Sequence, residues 1–146
     1  MNFKCKEMEG KYFLYFMNGE SNLQTLLKSM KPALQTGEYV FITIDDITTI
    51  DTRRAVSIFK EQEAYTVIVE KNMADEWEKP YQYVAAWITL TVHSSLEAVG
   101  FTAAFSKALA DAGISCNVVA AYFHDHIFVD TKDAEKAMEV LQQMAE

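Results

Sequence analysis

The succession strand, helix, strand, strand, helix over residues 87–145 constrains this chain more than any other feature. Residues 87–93, Trp-Ile-Thr-Leu-Thr-Val-His, alternate at the two-residue period of a strand and are rich in β-branched side chains. Over 96–113 the period becomes that of one helical face, with Ala98, Phe101, Phe105, Ala108, Leu109 and Ala112 along it, and Gly113 supplies a left-handed stop. Ser94, Ser95 and Glu97 offer a capping box for that helix. Residues 114–123 return to a strand, His124-Asp125 turns the chain, and 126–129 form a short third strand of a hairpin. Asp130 or Thr131 then caps an amphipathic helix over 132–145, whose apolar side carries Ala134, Ala137, Met138, Leu141 and Met144.

This order is the split βαβ arrangement of a ferredoxin-like fold with its fourth strand missing, so that strand must come from elsewhere. The first half repeats the rhythm faintly: a strand over 11–17, a helix over 21–30 and a strand over 38–45. Residues 66–70 and 84–92 supply two further strands, and the stretch 81–93 can serve both halves. Residues 51–63 suit either a short helix or a strand through Val56-Ser57-Ile58-Phe59. The expected architecture is α+β: two ferredoxin-like βαββαβ units with antiparallel sheets and helices on one face. One unit spans 1–80, with 1–18 unassigned, and the other spans 81–146.

Half of the 146 residues are hydrophobic, which permits a packed core, while the formal charge of −8 argues against nucleic-acid or anionic-membrane partners. No apolar run approaches the roughly 20 residues of a membrane helix, and residues 12–17 are too short for a signal core. Cys5 and Cys116, far apart in sequence, read as reduced thiols of a cytoplasmic protein.

Two short stretches carry a family resemblance: HSSLEAVG at 93–100 and HDHIFV at 124–129. Together with residues 112–115 they resemble the ACT domain, with Glu97 and Gly100 where that family places an acidic residue and a glycine before its first helix. Residues 122–129 look like the strand-turn-strand of tandem-ACT proteins related to amino-acid sensors and aspartokinase regulatory domains. The resemblance covers 87–145 well and 20–70 thinly. It implies a regulatory binder of an amino-acid-type ligand, with no catalysis and no cofactor. Sensor-type relatives carry hydroxyl residues just before the hairpin aromatic; Ala120 and Ala121 stand here instead, so ligand identity does not transfer. A homodimer is expected, both because ACT-type sheets and helices pair and because the second unit lacks a strand of its own.

Ferredoxin-like topology gathers His93, the 94–100 loop and the 124–126 turn at one edge. A zwitterion needs donors for its carboxylate, which amides near a helix start provide, and an anionic partner for its ammonium, which Glu97 or Asp125 provides. Gly100 permits close approach. The candidate ligand-binding set is Ser94, Ser95, Glu97, Val99, Gly100, Asn117, His124, Asp125 and His126, although Asn117 equally suits tying down the hairpin. Capping and ligand roles for Ser94, Ser95 and Glu97 are compatible.

Three rivals compete with this reading. His93, His124 and His126 suit a metal enzyme, but no HExxH or CxxC motif accompanies them. Ser94 or Ser95 with His93 and Asp125 suggests hydrolysis, without a nucleophile elbow. A protein-interaction module with no small ligand is the third. Asp45-Asp46 and Asp51 lack the calcium-loop pattern and read as a solvated acidic turn.

Overall fold

The computed structural model describes residues 19–146; the strand expected over 11–17 lies outside them. The described elements are α1 (Leu23–Ser29), β1 (Pro32–Leu34), β2 (Tyr39–Ile44), β3 (Ser57–Lys60), β4 (Tyr65–Glu70) and α2 (Lys71–Glu76), then β5 (Val84–Leu90), α3 (Phe101–Asp111), β6 (Cys116–Ala120), β7 (Asp125–Asp130) and α4 (Ala134–Gln143). All the described strands join one antiparallel sheet in the order β3-β4-β2-β5-β7-β6, with β1 beside the far half of β5. Among the described residues no helix is long and apolar enough to cross a membrane.

Strand β5 belongs to two ferredoxin-like units at once. It closes the set β2, β3, β4 as that set's fourth strand, and it opens the set β5, β6, β7 as the first. The missing fourth strand of the second set is β1, which lies antiparallel to β5 with Pro32 opposite Leu90 and Leu34 opposite Ile88. The strand thus comes from this same chain. Incompleteness of the second unit is therefore no reason for self-association, contrary to the sequence argument.

Side chains alternate across the sheet. Val40, Ile42, Val67 and Val69 meet Ala74 of α2, while Ala86, Ile88, Leu90, Ile127 and Val129 meet Leu26, Phe105, Leu109, Ala137 and Leu141 of the other helices. Val40 pairs with Val84 across β2 and β5, so both clusters lie on one sheet face, with all the described helices there. Each fully buried Phe or Leu stabilises by about 1.5–3 kcal/mol of transfer free energy. The opposite face is aromatic: Tyr39, Phe41, Tyr83, Trp87 and Phe128 pack there, with Trp87 and Phe128 stacked at 5.9 Å.

Three local expectations change. Residues 51–63 contain no α-helix: the 3-10 turns Ile47–Thr49 and Thr52–Arg54 replace it, started by Asp46 and Asp51 side chains that accept from Thr48 N and Arg53 N, and β3 follows. The helix expected from 96 begins at Phe101, because residue 100 sits at φ +92°, a conformation glycine tolerates and other residues rarely adopt. The hairpin turn falls one step earlier, with Ala121 N donating to His124 O at 3.1 Å, so Asp125 opens β7.

Candidate functional site

Beyond β5 the chain turns tightly, Ser94 N donating to Val92 O at 3.0 Å, and this brings Ser94 against the start of β7. Asp125 lies on the helix-bearing face, one alternation outward from Ile127 and Val129, and only 4% of its surface is exposed. A buried carboxylate is costly unless hydrogen-bonded. Ser94 Oγ donates to Asp125 Oδ2 at 2.9 Å. The same carboxylate borders a cavity of about 70 Å³ shared with Ser95, Ala98, Phe101 and Thr102 at the start of α3. Among the described residues no side chain caps that helix, and its first amides precede the opening bond from Ala104 N to Gly100 O.

A shallower pocket of about 200 Å³ continues over Ser94 and Ser95 to Glu97, His93 and Tyr122. Ser95 Oγ accepts from Glu97 N at 3.2 Å, a local turn in place of the capping box. One wall of this pocket escaped the sequence reading. Glu20 N donates to His93 O and Ser95 N donates to Glu20 O, both at 2.8 Å. The approach is so close that a Cβ on Gly19 would sit 2.5 Å from Ser94 C and Ser95 N. A glycine followed by capping residues, with Glu20 Oε1 accepting from Ser21 N and Asn22 N, is the signal that marks the crossing.

The structure gathers Ser94, Ser95, Glu97 and Asp125 in the lining of two adjoining pockets, whereas Gly100 lines neither and its missing Cβ faces Leu23. Val99 points outward and is 85% exposed. His124 Nδ1 lies 3.4 Å from Val92 O, where it ties the hairpin to the end of β5. Asn117 and His126 lie on the other sheet face. Asn117 Nδ2 donates to Phe128 O at 3.5 Å. His126 Nδ1 accepts from Trp87 Nε1 at 3.0 Å and sits 3.2 Å from Thr89 Oγ1, which itself accepts from Gln35 Nε2. Burial there pushes the His126 imidazole below its ordinary pKa, with a smaller push from His124 and an opposing pull from Asp125.

The His93 ring packs against Tyr122 and Phe123. Among the described residues no three His, Cys, Asp or Glu side chains converge on a point that could hold a metal. Ser94 is engaged with a carboxylate instead of an imidazole. The arrangement offers an anionic oxygen pair, a hydroxyl and a helix start around a small void, which is chemistry for binding an ammonium and a carboxylate together.

Comparison with known proteins bears on this geometry. One ACT-domain sequence profile matches residues 18–86 and a second ACT-domain profile matches residues 82–143, the two overlapping at the start of β5. No curated protein matches the chain. Among solved structures, a protein of unknown function from Vibrio cholerae, described as a possible transport protein, is 42% identical with a TM-score of 0.77, over 85% of this chain and 96% of that one. A protein from Agrobacterium tumefaciens aligns at 18% identity and TM-score 0.61, over 80% of this chain and 89% of that one. The regulatory subunit of aspartate kinase from Thermus thermophilus shares the fold at 13% identity and TM-score 0.58, over 82% of this chain and all of that one, 100%. The chain is a tandem member of the ACT-domain family.

Proposed function

We propose that this ACT tandem is a non-catalytic regulatory protein of the cytoplasm that senses an amino acid or similar zwitterion at the edge formed by residues 94–100 and the β6–β7 hairpin. Membership of the ACT family supports a regulatory, small-molecule-binding role. The observation that carries the ligand class is Asp125: a nearly buried carboxylate with a hydroxyl partner, bordering a void at a helix start. The ligand ammonium takes Asp125, with Glu97 at the outer rim, and the carboxylate takes the amides opening α3. The void of about 70 Å³ is too small alone, so the ligand also occupies the adjoining pocket over Ser94 and Ser95.

Self-association belongs to the same proposal, as a homodimer. Leu96, Val99, Tyr122 and Phe123 are 69%, 85%, 48% and 57% exposed around the site, an apolar rim suited to contact with a second subunit. The same rim favours a second reading, a protein-interaction module without a small ligand. A thermal-shift screen of the proteinogenic amino acids separates the two. At a hundredfold excess over Kd a true ligand stabilises by about 2.7 kcal/mol, and Asp125→Ala and Glu97→Ala abolish that gain. Equal shifts in wild type and both variants would place the pocket elsewhere, and no shift with any amino acid favours the interaction module.

A further inference from the structure

Strands β3 and β6 stand at opposite ends of the sheet order, yet both line one cavity of about 420 Å³. The sheet therefore curls, as its inherent twist allows, and the face that carries none of the described helices becomes a trough. Register places Ser57 opposite Ile68 and Phe59 opposite Thr66, so these side chains share that face with Phe41 and Val119. Phe41, Ile68 and Val119 supply an apolar floor. Phe59 stands at the rim with 68% of its surface in water.

Polar groups are confined to one side. Thr66 Oγ1 donates to Glu61 Oε1, and among the described lining residues Glu61 is the one ionisable side chain. None of the ion pairs among the described residues includes it. The volume lies within the roughly 300–1,000 Å³ of small-molecule pockets, which join an apolar wall to a few orienting polar groups.

We propose that this trough is a second small-molecule site, on the opposite sheet face from the first and bordering it at Ala120, that takes a primary amine with an aromatic or branched apolar body. The body covers Phe59 and rests on Phe41, Ile68 and Val119; the ammonium meets the Glu61 carboxylate. With an anion and no cation among the described residues of the wall, the trough discriminates against carboxylates of the same shape, whereas the first site requires one.

The test is calorimetry on the full chain with 2-phenylethylamine and its anionic isostere 3-phenylpropanoate. The amine binds saturably at one site and at least tenfold more tightly than the anion. Glu61→Gln weakens amine binding about tenfold. Val119→Phe fills the trough and removes binding, and Phe59→Ser, a change at an exposed rim, weakens it if the filled variant fails to fold. Asp125→Ala binds the amine as wild type does, so the two sites succeed or fail separately. Absence of saturation, equal affinity for both probes, or amine binding lost in Asp125→Ala would overturn the proposal. A dimer that Val119→Phe or Phe59→Ser dissociates would also overturn it, by giving the trough to a second copy.

Discussion

Replacing Gly19 with alanine tests the wall of the first site in the most direct way. The added Cβ would lie 2.5 Å from two backbone atoms and 2.7 Å from Ser94 O, and no flexible side chain can yield to relieve it. The crossing segments must separate, which breaks the bonds from Glu20 N to His93 O and from Ser95 N to Glu20 O. At about 1 kcal/mol net per hydrogen bond, with about 1 kcal/mol or more for overpacking, the loss is about 3 kcal/mol. For a chain of this size that lowers Tm by roughly 6–12 °C. Urea denaturation measures the stability, and hydrogen exchange at the Ser95 amide measures the bridge itself. A Gly19→Ala protein within about 0.5 kcal/mol of wild type, with Ser95 still protected, would show that the crossing is not built as described.

Three further changes probe neighbouring features. Ser94→Ala removes the hydroxyl from Asp125 and costs about 1–3 kcal/mol by urea denaturation, as expected for a buried acceptor left without its donor; Asp125→Asn in the same background recovers part of the loss. Gly100→Ala forces a side chain to φ +92° and costs about 1–2 kcal/mol by the same assay, with α3 otherwise intact by circular dichroism. His126 imposes a pH dependence: burial lowers its folded pKa below the unfolded value near 6.5, so below that pH the unfolded chain binds a proton the folded chain refuses. Stability is fully present above about pH 6.5 and declines as pH falls, levelling once the folded imidazole titrates. Parallel stability curves for wild type and His126→Gln between pH 8 and pH 5 would remove that assignment.

What could be read in advance followed from strong periodicity. The repeat of Phe101, Phe105 and Leu109 marks the buried face of α3, and Gly113, at φ +75°, ends it as its position implies. The start of α3 was harder because Ser94, Ser95 and Glu97 satisfy a capping pattern locally, while tertiary contacts to Glu20 and Asp125 claim the same groups for an extended loop. Strand β1 was invisible for a different reason. Three residues beginning with a proline carry no periodic signal, and only the vacant edge of β5 explains why they pair.

The candidate site shows the same division between local and long-range information. His124, Asp125 and His126 are adjacent in sequence, and a turn centred on them would present all three together. Starting β7 at Asp125 instead imposes strict alternation, sending Asp125 toward the helices and His126 toward Trp87 on the opposite face. That separation makes the two faces of β7 chemically distinct over one peptide step. Asp125 accepts from a hydroxyl beside a small void, whereas His126 accepts from an indole N–H in buried surroundings that disfavour added positive charge. The proposed ligand ammonium meets a carboxylate on the first side, and burial resists a proton on the second. A substitution at either position should therefore change one behaviour and leave the other in place.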